Sequence, residues 1–242
     1  MLTWIAARTE RIHIGTNVLG LPYRHPTVTA KMAETIHRLS DGRFVLGLGG
    51  GASDAEFRAW GLGVRTRSEK VDALAEAMEI IRGMWSRPHF SFDGQHYRTE
   101  EAQLEPKPAE RIPIWLGVYG KRSLALAGRV ADGWIPSLPF APPPKVAAMR
   151  DRIRRAAEDA GRDPDALTYG YNVPVLVQDG AADPQGRTVA GSVRDVAERL
   201  AALVAMGFRC LILSPRGDRT GGRERLASEV LPLVREIAEE SA

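Results

Sequence analysis

The chain has 242 residues, 44% hydrophobic and 26% charged, with a formal net charge of +3 and one cysteine. That length suits one large domain or two small ones, and with neither a run of about 18 apolar residues nor a signal-peptide pattern, a cytoplasmic protein with no membrane partner is expected. Basic and acidic residues alternate along the helices, the pattern of a solvated face, so no nucleic-acid partner is implied, although the mild positive field suits an anionic cofactor.

In chain order, 1–8 is compatible with a helix that has no N-cap, and 11–19 reads as a strand with Ile12, Ile14 and Val18 apolar. A loop with two prolines leads to a helix from Pro26, where Val28, Met32, Ile36 and Leu39 recur at helical spacing. Ser40-Asp41-Gly42 ends that helix, and the apolar strand 44–48 runs into Gly49, Gly50 and Gly51. A loop over 52–66 holds a short helix near 54–60. Ser68 is placed as the cap of a helix through Trp85, with Val71, Leu74, Ala75, Met78 and Ile80 or Ile81 inward. Asp93-Gly94 marks a hairpin over 90–98.

Further strands are expected at 114–116, 133–137, 169–177 (with Pro174 inside it) and 208–214. Helices are expected at 123–130, 145–160, from a Ser192 cap to Met206, and at 223–239. The stretch 178–191 is polar and Gly-rich. Cys210 lies in an apparent core strand, so a structural thiol is expected, and neither an intrachain disulfide nor a cysteine-based metal site can form. Six core strands, beginning near Arg11, Phe44, Ile114, Gly133, Tyr169 and Cys210, alternate with helices, which predicts an α/β fold with a parallel sheet.

The stretch 112–137 organises the chain. The apolar run Ile114, Trp115 and Leu116 suits a buried parallel strand. It is followed by a loop in which Gly117 and Gly120 allow close backbone approach, and then by a helix. A glycine-containing loop that opens a helix offers unpaired N–H groups and the positive end of the helix dipole to an anion. Lys121 and Arg122 in the first turn are poorly placed against that dipole unless they face a phosphate. An ordinary strand-to-helix connection is the competing reading of the same residues.

The segment PIWLGVYGKRSLALAGRVADGWIPSL resembles the phosphate loop and following strand of the luciferase-like flavin and deazaflavin oxidoreductases, and within them the coenzyme F420-dependent branch. TERIHIGTNVLGLPYRHP, LSDGRFVLGLGGG and FDGQHYR fit the same pattern in the same order. The resemblance implies a single domain over 1–242 of the (β/α)8 TIM-barrel type, entered at the helix before its third strand, with the first two β/α units absent. Such an opening would expose two sheet edges and favour a homodimer.

By the same resemblance, Asn17-Val18 would be a non-prolyl cis peptide under the deazaflavin ring. Gly49, Gly50 and Gly51 would line the ring or substrate pocket, and Gly117, Val118, Tyr119, Gly120 and Lys121 would hold the phosphodiester. The family's catalytic positions on the first two strands have no counterpart here, and Ala52 stands where some members have an acid, so no catalytic residue is assigned. Glu56 is expected to face solvent or cap a helix. The five histidines lack metal-ligand spacing, and His25, beside the pocket loop, is the one worth testing.

The implied function is hydride transfer between F420 and a small-molecule organic substrate. An FMN-dependent monooxygenase is the first alternative, and a non-catalytic cofactor-binding or interaction protein is the second.

Overall fold

The computed structural model describes residues 1–178, 180, 183, 185–217 and 219–240. Two units are distinguished, Met1–Asp132 and Gly133–Ala242, and in each the strands of the main sheet run parallel.

The first unit opens with α1 (Leu2–Arg8), which has no side-chain cap. The expected strand over 11–19 is divided into β1 (Ile14–Gly15) and β2 (Leu19–Gly20). Helix α2 (Pro26–Leu39) has Pro26 in its first turn. Next comes β3 (Phe44–Gly49), with which both earlier strands pair in parallel, Ile14 opposite Phe44 and Leu19 opposite Leu48.

Helical spacing in 28–39 identifies α2 but not its buried side. Ala30, Ala33, Thr29, Glu34 and His37 are buried, whereas Val28, Met32 and Leu39 are exposed. The small Ala30 admits Trp85, whose Nε1 donates to the Ala30 carbonyl at 3.0 Å. The buried Glu34 carboxylate is matched by Arg38 Nε at 2.7 Å and Lys31 Nζ at 3.3 Å, as a buried charge requires.

After the short α3 (Asp54–Ala59), helix α4 (Arg67–Ser86) starts earlier than its Ser68 cap would place it. The cap is Thr66. Its hydroxyl accepts from the Glu69 N–H at 3.3 Å, and the Glu69 carboxylate accepts from the Thr66 N–H at 2.6 Å, a reciprocal capping box. Ser68 instead takes another partner, Arg122. Ala73, Leu74, Ala77, Met78, Ile80 and Ile81 form the buried side of α4, with Val71 and Ala75 at its margin.

The hairpin is β4 (Phe90–Asp93) against β5 (Arg98–Ala102), an antiparallel sheet of its own. Strand β6 (Ile114–Leu116) pairs in parallel with β3, Leu46 opposite Ile114, and α5 (Lys121–Val130) follows it. Asp132 is more than a turn residue. Its carboxylate holds the start of β6, accepting from the Ile114 N–H at 2.8 Å, Arg82 at 2.8 Å and Arg111 at 2.6 Å.

The second unit contains β7 (Gly133–Trp134), α6 (Pro143–Glu158), β8 (Thr168–Val177), β9 (Val189–Gly191), α7 (Val193–Ala205) and β10 (Cys210–Pro215). It closes with α8 (Arg219–Arg225), a π turn over Leu226–Val230 and α9 (Leu231–Glu240). β8 is its centre: β7, β9 and β10 all pair with it in parallel. Pro174 does not interrupt β8, because pairing with β10 continues on both sides of it, Val173 opposite Leu213 and Val175 opposite Pro215. Tyr171 of β8 and Phe208 stack with ring centroids 4.8 Å apart.

Of the stretch 178–191, residues 179, 181, 182 and 184 lie outside the described residues, while Val189–Gly191 forms the unexpected β9. Cys210 is half-buried, not in a core strand, since β10 is only partly covered. Among the described residues no helix is long and apolar enough to cross a membrane, and no cluster of His, Cys, Asp and Glu suits a metal ion.

Candidate functional site

The candidate residues all lie in the first unit, around the C-terminal ends of β1, β3 and β6. The Thr16 N–H continues the β1–β3 ladder, donating to the Val45 carbonyl at 3.3 Å, and its hydroxyl donates to the Gly47 carbonyl at 2.7 Å. The Asn17–Val18 peptide bond is cis, as the resemblance implied. The Val18 side chain then lies across the strand ends. A Cβ added at Gly49 would stand 2.9 Å from Val18 Cγ2, and one at Gly117 would stand 3.0 and 3.1 Å from its two methyls. At Gly47 an added Cβ would fall 1.9 Å from the Thr16 carbonyl oxygen, which no side chain can share. Val18 keeps 37% of its surface exposed, so glycines on two strands seat one apolar side chain whose outer side is bare.

Of the other two glycines of the triplet, Gly51 is explained by packing within the protein, while a Cβ at Gly50 would make only an ordinary contact. A Cβ at Gly51 would meet the Phe57 ring at 2.6 Å and Pro22 at 2.9 Å, and one at Gly50 would meet Lys70 Cβ at 3.4 Å. Gly49 is buried under Val18, whereas Gly50 and Gly51 are half-exposed.

The loop after β6 differs from the simplest anion-loop picture. The Gly117 N–H is taken by the Leu48 carbonyl at 2.9 Å, so it extends the β3–β6 ladder and is not offered to a ligand. Val118 is buried at 6% exposure, and Tyr119 is half-buried. Gly120 is the N-cap of α5, with φ −78° and ψ 155°, and its carbonyl accepts from Leu124 N and Ser123 Oγ. An added Cβ there would meet Ser123 Oγ alone, at 3.4 Å. The first-turn N–H groups that no helical carbonyl reaches are therefore those of Lys121, Arg122 and Ser123.

The two first-turn cations are not equivalent. Arg122 donates to Ser68 Oγ and to Asp72 Oδ1, each at 2.6 Å. Lys121 is exposed, and no ion pair engages it among the described residues.

Acids near the strand ends are already engaged. Glu56 neither faces solvent alone nor caps a helix: its carboxylate accepts from the Tyr23 phenol at 2.5 Å. That hydrogen bond, with burial and the Glu56 charge adding to it, holds the phenol above its ordinary range. Asp54 pairs with Lys70. His25 is the N-cap of α2, its Nδ1 accepting from the Thr27 N–H at 3.3 Å, and burial holds its imidazole below the usual histidine range. It reads as a structural cap. The Tyr23–Glu56 and Arg122–Asp72 pairs bridge 33 and 50 residues, and no local sequence pattern announces either.

The luciferase-like monooxygenase family profile matches residues 1–188. An F420-dependent glucose-6-phosphate dehydrogenase of Nakamurella multipartita is 36% identical over 164 residues, 67% of this chain and 48% of its own length, so the chain spans about half of that relative. The enzyme of the same name from Beutenbergia cavernae is 30% identical, over 97% of this chain and 82% of its own. Among solved structures, an F420-dependent secondary alcohol dehydrogenase in complex with an F420-acetone adduct superposes with a TM-score of 0.84 at 18% identity, covering 97% of this chain and 84% of that one. At that identity the likeness establishes a shared fold.

Proposed function

The chain belongs to the luciferase-like monooxygenase family, and from that premise we propose that it is an oxidoreductase moving a hydride between the deazaflavin coenzyme F420 and a small organic substrate at a carbinol or carbonyl carbon. Relatives named as F420-dependent dehydrogenases support the cofactor. The observation that carries the reading is the juxtaposition of a half-bare Val18, seated on strand-end glycines, with a helix start whose lysine no ion pair engages among the described residues.

These residues fit the cofactor. Val18 and the adjoining Asn17 would support one side of the ring, while Gly49 and Gly117 keep Val18 low by omitting side chains beneath it. Gly50 and Gly51 would border the ring at the end of β3. The N–H groups opening α5 and the Lys121 ammonium would take the phosphate, with Val118, Tyr119 and Gly120 shaping the approach. When bound, the deazaflavin supplies the hydride donor or acceptor. The chain's part is to orient one side of the ring, exclude water from it and neutralise the phosphate charge.

The test is a pair of titrations, F420 followed by quenching of its fluorescence and FMN followed likewise. Tighter binding of F420 supports the proposal. Equal or tighter binding of FMN, with oxygen uptake when a flavin reductase is supplied, would assign a monooxygenase. Failure of a folded chain to bind either would assign an interaction role.

The proposal includes a single domain over 1–242 and a homodimer. The exposed Trp4, Ile12, Val28 and Met32 support an apolar contact between copies, and sedimentation of wild type against Met32→Lys tests it.

A further inference from the structure

Apart from the strand ends, the first unit contains a cavity of about 300 Å³ bounded by the start of α1, by α2 and by β2 and β3. It follows from the side of α2 that is buried. The small Thr29 and Ala33 face inward while Met32 turns out, which leaves space over Phe44 and Leu46. Leu19, Met32, Ala33, Ile36, Phe44 and Leu46 make its wall apolar. Ala33, Phe44 and Leu46 belong to the core and Met32 is exposed, so the cavity runs from the surface inward. Neither Val18 nor Gly49 nor Gly117 lines it, although Thr16 and Leu19 on its wall stand on either side of the cis Asn17–Val18 bond.

The polar groups on the wall differ in what they have left to offer. The hydroxyls of Thr16 and Thr29 already donate, to the carbonyls of Gly47 at 2.7 Å and His25 at 3.3 Å. Arg24 is half-buried and lines the same cavity, and its guanidinium makes no hydrogen bond, ion pair or ring contact among the described residues. A cation taken partly out of water with no anion beside it is costly. The apolar side of another copy laid over the opening would leave that charge unmatched. A carboxylate matches the planar fork of an arginine, and a hydrocarbon tail matches the rest of the wall.

We propose that this cavity is a second ligand site, separate from the cofactor site, which takes an aliphatic carboxylate with its chain in the apolar hollow and its head on Arg24. At a share of about 30 Å³ for each water-sized group, the volume holds about ten such groups, the size of a medium-length alkyl chain. The tail contributes apolar burial to any ligand of that length. The choice of a carboxylate over other heads is the work of Arg24 alone, and this separates the two contributions experimentally.

The experiment is calorimetric titration of the full chain with decanoate, decanol and decylammonium, which share one tail and differ in the head. Wild type should bind decanoate at least about tenfold more tightly than decanol, and decylammonium more weakly than either. Arg24→Gln should bring decanoate to the affinity of decanol. Ala33→Leu, which fills the hollow, should weaken both together, with the circular dichroism of each variant unchanged. Equal affinity of wild type for decanoate and decanol overturns the proposal, as does a preference for decanoate that survives Arg24→Gln. Binding that converts a dimer to a monomer also overturns it, because a second copy would then be what covers the cavity. The F420 affinity of Arg24→Gln should stay within about twofold of wild type; a loss that matches the loss of decanoate would put Arg24 in the cofactor site and refute a separate one.

Discussion

The seating of Val18 on Gly117 can be tested by a double-mutant cycle. Gly117 is outside the positive-φ set, so Gly117→Ala meets no backbone obstacle, and the N–H bond to Leu48 survives. Its cost comes from the new Cβ, 3.0 and 3.1 Å from the Val18 methyls, tighter than side chains ordinarily pack. Overpacking of this kind costs about 1–3 kcal/mol. Val18→Ala removes two methyl groups from a side chain 37% exposed, which at about 0.8 kcal/mol per fully buried carbon amounts to about 1 kcal/mol. It also removes both atoms that the new Cβ would strike. The double variant should therefore be more stable than the sum of the two single costs predicts, by at least about 1 kcal/mol. Urea denaturation of the four proteins, read from midpoints at constant slope, measures the coupling. Costs that add to within about 0.5 kcal/mol would show that Val18 does not rest on Gly117, and the geometry argued for the ring support would be wrong.

Three further outcomes follow from the same contacts. Lys121→Ala should weaken F420 binding about tenfold and reduce its salt dependence, whereas Arg122→Ala should change it by less than about twofold, because that guanidinium is held by Asp72 and Ser68; fluorescence titration at two salt concentrations separates them. Burial pushes the Asp132 carboxyl up, but the Ile114 N–H and Arg82 and Arg111 outweigh it and hold it below the ordinary range, so its stabilisation is present above the unfolded value of about 3.9 and is lost as pH falls through the lower folded value. Asp132→Asn should accordingly cost about 2 kcal/mol at pH 7, with the gap to wild type closing below about pH 4 in pH-resolved denaturation. Thr66→Ala should cost about 1 kcal/mol by removing the capping box of α4, while Ser68→Ala should cost markedly less by urea midpoint, since Ser68 caps nothing.

The element order was legible because it rests on local signals. Apolar runs ended by glycine gave β3 and β6, the Asp93-Gly94 pair gave the hairpin, and helical spacing gave α2 and α4. The parallel pairing followed from the alternation. What local signals could not give was which side of a helix is buried. In α2 the larger apolar residues face outward, because the close approach of Trp85 favours the small Ala30, and no property of 26–39 alone reveals a partner 55 residues away. The start of α4 is legible in Thr66-Arg67-Ser68-Glu69, which satisfies the capping-box spacing, whereas Ser68 has no Glu or Gln three residues on. The division of the 11–19 strand has no local signal: pairing with β3 resumes at Leu19 only after Thr16, whose hydroxyl bonds to the carbonyl of Gly47, 31 residues away.

The glycines of the candidate site show why its sequence signature is ambiguous even when its location is right. A strand-end glycine reads as room for a ligand, and at Gly49, Gly51 and Gly117 the space a side chain would need is filled by Val18, Phe57 and Pro22. Gly49 and Gly117 thus set the height at which Val18 is presented, whereas Gly51 makes room for Phe57 and Pro22. The anion reading of the next loop narrows in the same way. Gly117 spends its N–H on the sheet and Arg122 spends its charge on Asp72, which leaves the start of α5 and Lys121. Two adjacent cations in the first turn oppose the helix dipole, and the structure relieves one of them internally. The unrelieved cation is then the feature that a bound anion explains and a plain connection does not, which is why the contrast between Lys121→Ala and Arg122→Ala, more than the loss of any glycine, decides between the two readings of this loop.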